Sequence, residues 1–358
     1  MIQDRHLQAA VSRINQRSER QQDIDKLKDT YVDIGLFAQL QNRNHQIFYG
    51  RRGTGKTHVM KVLSVAFAED RKATVIYIDC RTLGSTNQFA DVTLPIGRRC
   101  LSLFRDVLLE IHNGLLEHII ECPAKRADEA LAAADALAAV ITEPLETLRA
   151  ERVTTEVGSH AEIKSSISVG STISSAALTI DGKRDQEQQE KNTSKTNAEY
   201  AVSSEDKIIF PDLHSALRRV LELADSQLVV LIDEWSSLPV DVQPYLAEFL
   251  KRGLLPLQSA TVKISALEYR CRFSVTQDHG YIGFELGADI ATAPDLDDYF
   301  VYERSPDQIT DTYADVIYQH LSSELPENYL KQNHSVSNGK QLASRLFTER
   351  STCAELAK

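Results

Sequence analysis

The chain is short of cysteine, methionine and tryptophan, with five, two and one among 358 residues. Cys80, Cys100, Cys122, Cys271 and Cys353 are scattered and form no C-x-x-C pair. An odd, dispersed set excludes a disulfide framework and a cysteine-built metal site, and it fits a reducing, cytoplasmic compartment. No apolar run is long enough to span a bilayer. The alanine-rich stretch 131–141 is broken by Asp135 and closed by Glu143-Pro144. An apolar leader is also missing, because Arg5 and His6 open a polar helical pattern. A membrane is therefore not an expected partner. Positive charge is in deficit: 40 Lys and Arg stand against 51 Asp and Glu, a net charge of -11. That excludes a chain-wide basic surface for nucleic acid and leaves only a local groove open. The remaining composition, 42% hydrophobic and 25% charged, is that of a globular chain with one large core or two modest ones.

Against this background one segment stands out. Gly50-Arg51-Arg52-Gly53-Thr54-Gly55-Lys56-Thr57 has the spacing G-x-x-x-x-G-K-[ST] of a triphosphate-binding loop. An apolar strand, 46–49, runs into it and a helical pattern, 56–68, leaves it. Glycine lets the backbone curl so that several N–H groups face one anion. The helix start adds its positive dipole end. The loop residues from Gly50 through His58 are thus candidates to hold a nucleotide. Lys56 reaches the terminal phosphates, and the Thr57 hydroxyl is a candidate ligand for Mg²⁺.

A second segment supplies acid groups. Leu228-Val229-Val230-Leu231-Ile232 is apolar on both faces, as a central parallel strand requires, and it ends in Asp233-Glu234. Carboxylates at that end lie where open α/β sheets bind ligands. Asp233 is the candidate metal carboxylate and Glu234 the candidate general base for an attacking water.

Periodicity places a strand at 73–78, amphipathic helices at 98–121 and 125–141, a helix after Asp212, and strands at 228–232 and 261–264. A last strand, Tyr299-Phe300-Val301-Tyr302, is expected to close the sheet. Strand, helix, strand in this order predicts right-handed parallel crossovers. Residues 151–210 look inserted. Ile167, Val169 and Ile173, then Ala176, Leu178 and Ile180, alternate with polar residues around Gly170-Ser171, as in a β-hairpin. That hairpin reads either as a surface element or as a device for gripping a partner or entering a membrane. The run 183–206 is almost wholly polar, which predicts mobility. The expected organisation is an N-terminal helical segment over 1–30, a nucleotide-binding core over 31–304 and helices over 305–358.

The loop at 50–57 and LVVLIDEW at 228–235, with YVDIGL at 31–36 and ISALEYR at 264–270, resemble AAA+ ATPases of the initiator group, the origin-recognition-type ATPases and their bacterial relatives. The resemblance covers roughly 25–358 apart from the insertion. It implies a P-loop parallel sheet flanked by helices, an incomplete C-terminal helical lid, ATP with Mg²⁺, oligomerisation, and DNA or a DNA-bound protein as client. It also implies that Val32 and Ile34 line the adenine. Ser265 or Arg270 would be the polar sensor, and Arg270, Arg272 or Arg304 an arginine finger. The winged-helix domain usual in that group is not expected in this chain. The runner-up is an ATP-dependent signalling or defence switch that assembles on a trigger without touching DNA.

Overall fold

A computed structural model describes residues 3–14, 23–33, 35–84, 88–142, 145–152, 198–205, 207–277, 280–293, 295–301 and 306–346. Helix α1 (Arg5–Arg13) starts where the Asp4 carboxylate accepts from the His6 amide at 2.8 Å, satisfying a donor the helix cannot. Short helices α2 (Ile24–Asp29) and α3 (Phe37–Leu40) follow. Strand β1 (Gln46–Tyr49) leads through the glycine loop into α4 (Lys56–Ala68), and β2 (Ala73–Asp79) follows. Helices α5 (Ile96–Glu121) and α6 (Ala127–Thr142) come next. Strands β3 (Leu145–Arg152) and β4 (Ala198–Glu205) pair antiparallel, Leu145 opposite Glu205. Then come α7 (Phe210–Leu223), β5 (Gln227–Asp233), α8 (Gln243–Gly253) and β6 (Ala260–Ala266). A small hairpin, β7 (Ser274–Gln277) and β8 (Gly280–Gly283), precedes β9 (Ala291–Thr292). Helices α9 (Leu296–Val301), α10 (Pro306–Ser323) and α11 (Tyr329–His334) follow, with a further helical stretch over 339–346.

The main sheet has the order β2-β5-β6-β1-β9, and every pairing in it is parallel. Alternation along each strand divides its side chains between two cores. Ile47, Val230 and Ile232 face a core shared with α5, α6, α7 and α8. Phe48, Val229 and Leu231 face a second core with Met60 and Leu63 of α4. Because both faces are covered, the strands read as continuous apolar runs. A third cluster lies apart from the sheet: Leu7 and Ala10 of α1 pack with Leu321, Leu330, Val336 and Leu342.

The chain divides into two compact units, one of residues 1–142 and 208–358, the other of residues 143–207. In the second, Ala198–Glu205 is a strand rather than part of a mobile run, because its backbone groups find partners in β3. The hairpin expected at 167–180 lies outside the described residues. The expected closing strand at 299–302 is overturned. Residues Leu296–Val301 form a helix, and the edge of the sheet is Ala291–Thr292, beside Gln46 and Ile47. Aromatic and β-branched composition favours a strand there. Against it, Asp297 and Asp298 favour a helix start, and Leu296 is fully buried, close to Gly50.

Candidate functional site

The glycine loop leaves β1 at Gly50 and turns through two left-handed positions, Gly53 (φ 88°) and Gly55 (φ 90°). Only glycine takes that conformation without strain. Gly50 is needed for a different reason: a Cβ there would stand 2.7 Å from Thr54 Oγ1 and 3.0 Å from Leu296. Thr54 Oγ1 donates back to the Arg51 carbonyl at 2.8 Å, tying the loop together. Lys56 is buried at the start of α4, and its Nζ donates to the carbonyls of Gly50 and Arg51, both at 2.9 Å. Burial pulls this ammonium below the ordinary lysine range, while Glu234 and Asp233, then Asp297 and Asp295, pull it back. The first turn of α4 presents N–H groups that the helix itself cannot satisfy.

The two acidic residues sit across one intervening strand from that loop. β1 and β5 both pair with β6, Tyr49 beside Ala266 and Ile232 beside Ile264. All three strands run the same way, so their C-terminal ends share one edge of the sheet. Asp233 is fully buried. Its Oδ1 accepts from the Glu234 amide at 2.9 Å and from the Ser265 hydroxyl, and its Oδ2 accepts from the Tyr77 hydroxyl at 2.7 Å. Burial first, then the charge of Asp233, pushes the Tyr77 phenol far above its ordinary value, so it stays a donor. Glu234 is a non-glycine residue in the left-handed region (φ 56°, ψ 41°). Such strain persists only where the surroundings over-determine it. The Glu234 amide also reaches Ser265 Oγ at 3.3 Å, and Trp235, the next residue, is fully buried with its ring stacked on Phe273 at 5.3 Å.

Other expected residues divide. Arg51 and Arg52 are exposed, and the Arg51 amide donates to Asp297 at 2.9 Å. Arg270 shares a cleft of about 300 Å³ with Gly50, Arg51, Arg52, Tyr269 and Asp295. Arg272 is exposed, with its amide held by Gln243. Ile34 and Arg304 lie outside the described residues. Val32 is half-buried next to Tyr31, whose ring meets the His58 imidazole at 5.5 Å. His58 Nε2–H donates to the Leu27 carbonyl at 2.8 Å, and its ring lies 6.4 Å from that of His320 on α10. The His58 side chain therefore joins α4 to the N-terminal segment and α10. Tyr77, which sequence reasoning missed, becomes visible only once β2 is known to lie beside β5, Asp79 opposite Asp233.

The donor set suits a magnesium nucleotide. Among the described residues no group of three or more His, Cys, Asp or Glu could hold a metal ion. Magnesium needs no such cage, since it keeps waters and binds through one or two carboxylates together with substrate phosphates. Thr57 and Asp233 offer it oxygen alone, and the glycine turns leave room: a Cβ at Gly53 or Gly55 meets nothing within 4 Å.

A parallel sheet with a lysine-bearing glycine loop on one strand and an acidic pair two strands away defines a P-loop ATPase domain of the AAA+ type. A family model described as ORC-CDC6-like matches residues 16–354, and the chain belongs to that family. Proteins of that family are AAA+ ATPases that in general bind ATP with Mg²⁺. No curated protein and no solved structure gives a match. Among the described residues no helix is long and apolar enough to cross a membrane.

Proposed function

We propose that this protein binds and hydrolyses ATP at the 50–58 loop and couples the nucleotide state to conformational change or assembly, acting on DNA or on a DNA-bound partner. The observation that carries the reading is geometric: the Lys56 loop follows β1 and Asp233-Glu234 end β5, with β6 between them, so both lie at the same edge of one parallel sheet. Loop amides and Lys56 would grip the β and γ phosphates. Thr57 and Asp233 would hold Mg²⁺, which supplies charge neutralisation on the phosphate oxygens. Glu234 would accept the proton of the attacking water. Ser265, at the polar sensor position, donates instead to Asp233 and so fixes the metal carboxylate. Val32, with Tyr31, is the candidate for adenine contact, and Arg270 or Arg272 for the finger offered to a neighbouring subunit. Family membership supports the assembly and the choice of DNA or a DNA-bound protein as client.

The test is ATP turnover measured against protein concentration, with and without DNA and across salt. Lys56→Ala should abolish nucleotide binding. Glu234→Gln should keep binding and lower turnover at least about 10²-fold. Stimulation by DNA that fades as salt rises supports a DNA client. Nucleotide-dependent assembly indifferent to DNA supports the signalling switch, a reading that the net charge of -11 favours. Unchanged nucleotide affinity in Lys56→Ala would remove the proposal.

A further inference from the structure

Asp233 shows which of its oxygens remain available. An ionised carboxylate offers about four lone-pair positions. Three are taken by protein donors: Ser265 Oγ and the Glu234 amide on Oδ1, and Tyr77 Oη on Oδ2. The side chain is fully buried, so bulk water does not compete for the fourth. The donors come from three places, β2, β6 and the residue following β5. Tyr77 packs its ring against the core that contains Met60 and Leu63 of α4 and extends only its hydroxyl to the carboxylate. An aromatic body with a polar tip suits such a wedge. The Tyr77 hydroxyl is spent on this acid, and that of Ser265 donates to it while also accepting from the Glu234 amide at 3.3 Å.

We propose that Tyr77 and Ser265 are positioning residues that clamp Asp233 from opposite sides. They leave one acceptor position, available to a metal ion or to a water bound to it. This deepens the magnesium reading above and rests on it. Partners behind a metal-facing group orient it, and their loss typically weakens metal affinity about 10–100-fold. A clamp differs from mere packing in what it changes: metal dependence shifts, and nucleotide affinity without metal does not.

The experiment uses the full chain and a fluorescent ATP analogue. Its affinity is measured in EDTA and then across a Mg²⁺ titration, with thermal melting as a folding control. For Tyr77→Phe the EDTA affinity should match wild type and the Mg²⁺ midpoint should rise about tenfold. Ser265→Ala tests the other jaw in the same way and keeps the idea exposed should Tyr77→Phe fail to fold. In an Asp233→Asn background the tyrosine change should no longer move the midpoint, because the two act through one carboxylate. A folded variant of either residue with the wild-type midpoint overturns the clamp. A wild-type protein that binds no analogue with Mg²⁺ present overturns the nucleotide reading instead, so the two failures are distinguishable.

Discussion

Lys263 is a fully buried lysine at the middle of the sheet, and among the described residues no carboxylate pairs with it. Its ammonium donates to Gln46 Oε1 and to Asn42 Oδ1, the latter at 3.1 Å. Burial, then the charge of Arg43, lowers it from 10.5 to about 7. A base whose folded value is depressed is destabilising while charged. Below about pH 7 both folded and unfolded chains hold the proton and the cost is full. Between about 7 and 10.5 only the unfolded chain holds it, so stability rises with pH across that window. Urea unfolding should therefore show wild type gaining stability from pH 7 to pH 10, by on the order of a few kcal/mol. Lys263→Met should lose that gain, and equal pH slopes in the two proteins would contradict it. The candidate site residues, by contrast, were largely legible as candidates. Gly50 to Thr57 and Asp233-Glu234 carry their chemistry in spacing alone. Tyr77 was not legible, because its meaning depends on which strand lies beside it.

At the scale of elements, the hairpin β7–β8 hangs from a stack of rings. Phe273 stacks on Trp235 at 5.3 Å and on Phe284 at 6.1 Å. Gly283 makes this closeness possible: it has φ 103°, and a Cβ there would lie 2.1 Å from the Phe273 carbonyl oxygen. Backbone atoms cannot step aside cheaply. Gly283→Ala should cost more than about 1 kcal/mol and should speed amide exchange through 274–283. Unchanged exchange would show that the hairpin is held from elsewhere, for instance by the Gly283 amide on Glu248. Helices and strands of the sheet were readable because burial on one or both faces writes a period into the sequence. The hairpin was not, since four-residue strands are too short to show one. Residues 299–301 misled because local preference for a strand lost to the seat of Leu296 against the glycine loop.

Over the whole molecule, the N-terminal helix belongs with the last helices. Asp4 accepts from the Tyr329 hydroxyl at 3.1 Å and from His334 at 2.6 Å, and chiefly His334 holds that carboxyl down at about 2. Lys26 adds an ion pair to Glu324 at 2.6 Å. Leu7 is buried in the same cluster as Leu321 and Leu330. Leu7→Asp should loosen residues 306–346, seen as new cleavage there in limited proteolysis at native conditions. An unaltered digestion pattern would mean α1 is only draped on that surface. Contacts spanning more than three hundred residues of sequence leave no periodic trace, which is why the segment reads from sequence merely as a polar helix.

One consequence follows from where the lone tryptophan stands. A single peptide bond joins Trp235 to Glu234, and its indole stacks on Phe273, the residue before the hairpin. The protein thus carries an intrinsic optical gauge: ultraviolet emission from one fluorophore, with no label attached, reports on the corner that holds Asp233 and Glu234.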